Sequence, residues 1–146
     1  MIGVNKPFSK SLFRGNDPKS RRIVKEYFAK QSPPIIMEDN LNKYGIDLIS
    51  KDGSLQIEVE HRLVWIDEEF PFEEINLPER KAKFFVENSA AYAILSRDYS
   101  HIGMIDGKTL RTYIVDYNLK ESSNKYVREN EYFYKIPKSA FAWRKI

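Results

Sequence analysis

The sequence predicts an α/β fold: one domain with a mixed central β-sheet flanked by helices. Three observations carry this expectation. An Asp-Gly turn joins two strand-like runs near the middle of the chain. Helix-like segments stand on either side of that hairpin, with further strand-like runs behind them. The 146 residues, 42% of them hydrophobic and including nine Tyr and nine Phe, fill one core and leave little for a second. No repeat, low-complexity tract or linker divides the chain. One domain is therefore expected over residues 1–146, its core at about 16–96, with added strands and a basic, aromatic tail over 97–146.

Taken in order, residues 1–15 read as irregular. Asn16-Asp17-Pro18 places capping residues ahead of a proline suited to a first turn, predicting a helix from there to about Gln31. Ile23, Val24, Tyr27 and Phe28 form its apolar stripe. Pro33-Pro34 stops it, and Ile35-Ile36-Met37 is a short strand. Tyr44–Ser50 and Leu55–Arg62 are the hairpin strands, joined by Lys51-Asp52-Gly53-Ser54. Residues 66–76 read as an acidic loop, and Pro78 opens a second helix through about Asn88. Ala90–Ser96 is a buried strand. Asp106-Gly107 predicts another hairpin, between His101–Ile105 and Thr109–Tyr117, and Glu131–Ile136 is the last strand.

Composition narrows the chemistry. Without cysteine the chain has no disulfide, thiolate metal site or thiol nucleophile. It has two histidines, His61 and His101, so any metal must be held mainly by carboxylates, which favours magnesium, manganese or calcium. No apolar stretch approaches the roughly twenty residues of a membrane span, and the N-terminus lacks a signal-peptide pattern. A soluble, cytoplasmic protein without membrane contact is expected. The net charge of +3 is unevenly spread. Residues 1–30 hold eight basic side chains against two acids, and residues 58–79 hold eight acids against Arg62. The C-terminus is basic and aromatic again. This distribution suits a polyanion at the basic ends and a cation at the acidic centre; it equally describes solvated surfaces.

The hairpin register sharpens the acidic centre. With Asp52-Gly53 at the turn, Lys51 faces Ser54 and Asp47 falls opposite Glu58. Opposed side chains share a face about 5 Å apart. Glu58 and Glu60 also share that face, while Leu55, Ile57, Val59 and His61 take the other. Two carboxylates at that spacing repel by roughly 3 kcal/mol at an effective dielectric of 20. A bound cation, a Lys or Arg partner or a raised pKa would offset this; otherwise the acids splay into solvent.

Gly45-Ile46-Asp47, ten intervening residues and then Glu58-Val59-Glu60 resemble the core of the PD-(D/E)XK, or restriction-endonuclease-like, nuclease superfamily. The resemblance covers about residues 16–96 and implies that family's core of helix, strand, hairpin, helix and strand. It implies Asp47 and Glu58 as ligands of Mg2+ or Mn2+, and hydrolysis of phosphodiester bonds in DNA; the hairpin register adds Glu60 as a third acid within reach of the same ion. A small endonuclease or junction-resolving enzyme fits this class. Such enzymes often act as homodimers, since two strands need two sites.

The chain departs from the family at Glu60, which stands where the motif has lysine. Lys81 is the candidate replacement, because it lies at the centre of a stripe formed by Leu77, Phe84, Phe85 and Asn88. The alternative for Lys81 is snorkelling, its stem on the phenylalanines and its ammonium in solvent. The candidate catalytic set is thus Asp47, Glu58, Glu60 and Lys81. Glu26 and Glu38 are weaker candidates for a further acid, Glu26 lying roughly 130° from its helix stripe. His61, His101 and Trp65 read as packing residues. Arg21, Arg22 and Lys25, with Lys138, Trp143, Arg144 and Lys145, are the candidate nucleic-acid contacts. Two other readings stay open: a nucleic-acid-binding module of the same fold without catalysis, and an interaction domain whose acidic loop meets a basic partner.

Overall fold

A computed structural model describes residues 10–86, 89–121 and 131–146. Its centre is a six-stranded mixed sheet. The strands are β1 (Met37–Asp39), β2 (Leu48–Ser50), β3 (Gln56–His61), β5 (Ala90–Leu95), β6 (His101–Asp106) and β9 (Ala142–Lys145), lying side by side in that order. β3 and β5 run parallel and every other neighbouring pair is antiparallel. A second, three-stranded antiparallel sheet joins β4 (Glu74–Pro78), β8 (Tyr132–Pro137) and β7 (Leu119–Glu121). The chain is therefore a mixed α/β protein with few helices. No helix among the described residues is long and apolar enough to cross a membrane.

Helix α1 (Lys10–Ala29) covers one face of the central sheet. Val24 and Phe28 bury against Leu48, Ile57, Val59, Ala91, Ala93 and Leu95. The small side chains of Ala91 and Ala93 leave room for that packing. On the other face, Tyr92, Ile94 and Ile105 pack with Ile75 and Leu77 of β4, Tyr134 and Ile136 of β8, and Phe85. β5 is buried along its whole length, as a strand covered on both faces must be. Alternation along β3 sends Ile57 and Val59 towards α1 and Glu58 and Glu60 towards the second sheet.

The hairpin register follows the sequence pattern: Leu48 pairs with Ile57, Ile49 with Gln56, and the Ser50 N–H donates to the Leu55 carbonyl at 2.8 Å. The turn spans Lys51 to Ser54, with Gly53 at φ 77°. Asp52 Oδ1 braces it by accepting from Ser50, the Ser54 N–H and the Ser54 hydroxyl.

Several expectations need correction. α1 starts at Lys10 and carries Pro18 inside it, so residues 10–15 are helical rather than irregular; a single proline removes one backbone hydrogen bond without ending every helix. Tyr44–Asp47 lies outside the ladder, in a loop closed by Asn40 N–H on the Asp47 carbonyl at 3.0 Å. The acidic segment yields strand β4 from Glu74, because Ile75 and Leu77 alternate into the core. The predicted second helix is a 3-10 helix, Glu79–Phe85; Asn88 lies outside the described residues. Asp106 caps helix α2 (Gly107–Arg111) by accepting from the Thr109 N–H at 2.7 Å, in place of turning a hairpin. The basic tail forms β9, an edge strand of the main sheet.

Candidate functional site

Asp47, Glu58, Glu60 and Lys81 come together between the two sheets. Glu58 is 5% exposed. Its Oε1 accepts from the Asp47 backbone N–H at 3.3 Å, and Asp47 Oδ2 accepts from the Val59 N–H at 2.8 Å. These bonds continue the hairpin beyond its ladder and hold the Asp47 carboxylate within hydrogen-bond reach of Glu58. From the 3-10 helix, Lys81 Nζ approaches to 3.2 Å from Glu58 Oε2 and 3.4 Å from Glu60 Oε2.

Glu60 has further partners. Arg62 Nε stands 3.1 Å from its Oε1, and the Tyr92 hydroxyl donates to its Oε2. Arg62 Nη2 donates to the Tyr92 hydroxyl and to the Asn76 carbonyl, each at 2.8 Å. Asn76 Oδ1 in turn accepts from Lys135 Nζ at 2.8 Å. The network thus runs from β3 through β5 to β4 and β8 and ties the two sheets together.

Electrostatics separates the two glutamates. Burial pushes the Glu58 carboxyl up to about 7; the Lys81 ammonium opposes the rise and Asp47 adds to it. Burial also works against the Glu60 carboxylate, but Arg62 and Lys81 outweigh it and hold Glu60 at about 2. Burial disfavours the Lys81 ammonium, yet Glu60, Tyr92 and Glu58 keep its pKa above the ordinary lysine value. At neutral pH the site therefore combines a charged lysine, a charged Glu60 and a Glu58 poised near half-protonation.

The expectation that Asp47, Glu58 and Glu60 converge on one ion is revised by this geometry. Among the described residues no group of three His, Cys, Asp or Glu side chains is gathered to hold a metal, because Glu60 is engaged by Arg62, Tyr92 and Lys81. What remains is the Asp47–Glu58 pair. Two carboxylates fit Mg2+, which keeps several waters and takes one or two protein carboxylates along with substrate phosphate oxygens. A buried Glu58 whose charge is resisted beside Asp47 is also a place where a cation can stand in for a proton.

The other predicted residues lie apart. Arg21 and Lys25 on α1 pair with Asp39 at 3.1 and 2.9 Å, on the sheet face away from Glu58 and Glu60. Arg22, Glu26 and Glu38 are exposed. His61 stacks on Tyr99, with ring centroids 4.3 Å apart. Trp143 packs against Phe70, Phe141 and Trp65 and donates from Nε1 to the Lys138 carbonyl at 2.9 Å. Lys138 pairs with Glu69 at 2.7 Å. Arg144 and Lys145 are exposed on β9 and, with Trp65, His101 and Trp143, line a cavity of about 380 Å³.

Sequence reasoning missed Arg62 and Tyr92. Arg62 continues the even-numbered alternation of Glu58 and Glu60, which was a usable signal. Tyr92 is the lone polar handle in an otherwise apolar buried strand, and a buried tyrosine hydroxyl requires a partner.

No protein-family model and no curated protein matches the chain. Among solved structures, D212, a nuclease from a fusselovirus, is similar at 13% identity and a TM-score of 0.49, covering 94% of this chain and 89% of that one.

Proposed function

We propose that this chain is a divalent-metal-dependent nuclease of the PD-(D/E)XK type that hydrolyses phosphodiester bonds of DNA. One observation carries the reading: a buried Glu58 carboxyl beside the half-buried Asp47, with the Lys81 ammonium 3.2 Å from Glu58. Asp47 and Glu58 would hold Mg2+ or Mn2+, which supplies Lewis-acid stabilisation of the phosphate and a more acidic water. Lys81 remains protonated, so it acts as a fixed cation and hydrogen-bond donor to charge developing on phosphate oxygens rather than as a base. The enclosing sheets limit water around these groups and strengthen each of those interactions.

Incubation with supercoiled, linear, branched and single-stranded DNA tests the proposal, using Mg2+, Mn2+ and chelator in parallel. Cleavage that needs the metal and disappears in Asp47→Asn supports it. Intact DNA under every condition, with the protein folded, rules it out.

A second reading is a nucleic-acid-binding module without catalysis. The observation favouring it is that Lys81 and Arg62 already supply two positive charges against Glu58 and Glu60. Salt-sensitive DNA binding without metal-dependent cleavage would select this reading.

A further inference from the structure

Resting on the nuclease reading, we infer that Glu60 is a positioning residue that acts through Lys81. Clamped by Arg62 and Tyr92, it holds the lysine ammonium over the Asp47–Glu58 pair. Residue 60 lies two positions beyond Glu58 on the same strand, so a lysine there would itself stand beside the acid pair. This chain has glutamate there and brings its ammonium from a separate element, the 3-10 helix, 21 residues later.

A flexible lysine stem has many rotamers to choose among, so something must fix its head. Glu60 supplies that anchor. Its Oε2 lies 3.4 Å from Lys81 Nζ, and its carboxylate is oriented independently of the lysine. Arg62 Nε forms an ion pair with its Oε1 at 3.1 Å, and the Tyr92 hydroxyl donates to Oε2. Arg62 is itself fixed by the Asn76 carbonyl and the Tyr92 hydroxyl, each at 2.8 Å. The anchor is therefore built from β3, β4 and β5, the rigid part of the fold, while the anchored group comes from a short helix. Residues on rigid elements place a charge more accurately than a free side chain can.

The division of labour has a distinctive consequence. If Glu60 works only by placing Lys81, removing it matters only while Lys81 is present. Single-turnover DNA cleavage is measured with Mg2+ for the wild type, Glu60→Gln, Lys81→Met and the double variant, alongside DNA affinity in chelator. Lys81→Met should slow cleavage about 100-fold and Glu60→Gln roughly tenfold or more. The double variant should be no slower than Lys81→Met, and DNA affinity should stay near that of the wild type. Losses that multiply in the double variant, or a Glu60→Gln enzyme as fast as the wild type, would overturn the inference. Where Glu60→Gln fails to fold, Tyr92→Phe removes one hydroxyl from Glu60 and should show the same non-additivity with Lys81→Met.

A separate arm distinguishes failure of the nuclease reading. The 15N ammonium signal of Lys81, assigned by its loss in Lys81→Met, should be protected from solvent exchange in the wild type and lost in Glu60→Gln. If no DNA is cut yet this signal behaves so, Glu60 positions Lys81 and the nuclease reading alone falls. If the signal survives in Glu60→Gln, the positioning role falls whether or not DNA is cut.

Discussion

The backbone N–H of Asp47 donates to Glu58 Oε1 at 3.3 Å, and the Asp47 carboxylate lies within hydrogen-bond reach of that same buried carboxyl. The contact places an acid against an acid inside the fold, and the opposing ammonium of Lys81 offsets only part of the cost. Stability should therefore depend on pH through Glu58. Its folded pKa of about 7 lies above the ordinary value of 4.5. The stabilising contribution is fully present below 4.5 and is lost as pH rises through about 7, because the folded chain retains a proton that the unfolded chain releases. Glu58→Gln, permanently neutral, should gain on the order of 2–3 kcal/mol over the wild type at alkaline pH and almost nothing at pH near 4. Urea unfolding at the two pH values measures this. Equal effects at both would mean that Glu58 is not the titrating group.

The same proton should appear in metal binding. A cation held by Asp47 and Glu58 must displace it, so affinity for Mn2+ should rise with pH below about 7 and level off above it. The slope should approach tenfold per pH unit on the acid side. Calorimetry in buffers of different ionisation enthalpy would report the released proton directly. Binding that is pH-independent from about 5.5 to 8.5 would remove Glu58 from the ligand set.

How much of this was legible follows from particular residues. The hairpin register could be read because Asp52-Gly53 fixed the turn and Ile57 and Val59 fixed the buried side, two independent constraints on one ladder. Asp106-Gly107 misled because the same dipeptide that favours a tight hairpin also offers an N-cap; Thr109, three residues on, decides for the cap. Strand β4 was hidden by flanking glutamates, although Ile75 and Leu77 alternate as a strand requires. α-Helical spacing put Lys81 at the centre of an apolar stripe and left open whether its ammonium met the acids or solvent; the segment is a 3-10 helix, so its placement beside Glu58 and Glu60 reflects the whole fold rather than that periodicity. Arg62 and Tyr92 each carried a signal in the sequence, but which partners they take is decided only once β3, β4 and β5 are assembled.

The C-terminal strand closes the edge of the central sheet, and Gly103 makes room for its Trp143. A Cβ at position 103 would stand 2.6 Å from Trp143 Cζ3. The indole has little freedom to retreat, since it stacks on Phe70 and Phe141 and meets Trp65 edge-on. Gly103→Ala should therefore destabilise the protein by about 1–3 kcal/mol. Thermal unfolding followed by tryptophan fluorescence tests it. An unchanged melting temperature would show that β9 can shift outward at little cost.

DNA binding should draw unequally on the two basic regions. α1 packs on the face of the central sheet opposite Glu58 and Glu60, and its Arg21 and Lys25 engage Asp39. Lys145 instead projects from the exposed edge strand β9 on the same face as Trp143, beside a cavity lined by Trp65 and Trp143, whereas Arg144 pairs with Ile102 on the α1 side. A duplex whose scissile phosphate reaches the acid pair is closer to the face that carries Trp143 than to the face under α1. Lys145→Gln should therefore weaken duplex binding and reduce the slope of log affinity against log salt by up to about 0.9, for one phosphate no longer neutralised. Arg21→Gln with Lys25→Gln should leave the slope nearly unchanged. Fluorescence anisotropy across a salt series with a labelled duplex measures both. A flattened slope in the α1 variant and an unaltered one in the β9 variant would put the DNA on the helix-covered face and overturn this prediction.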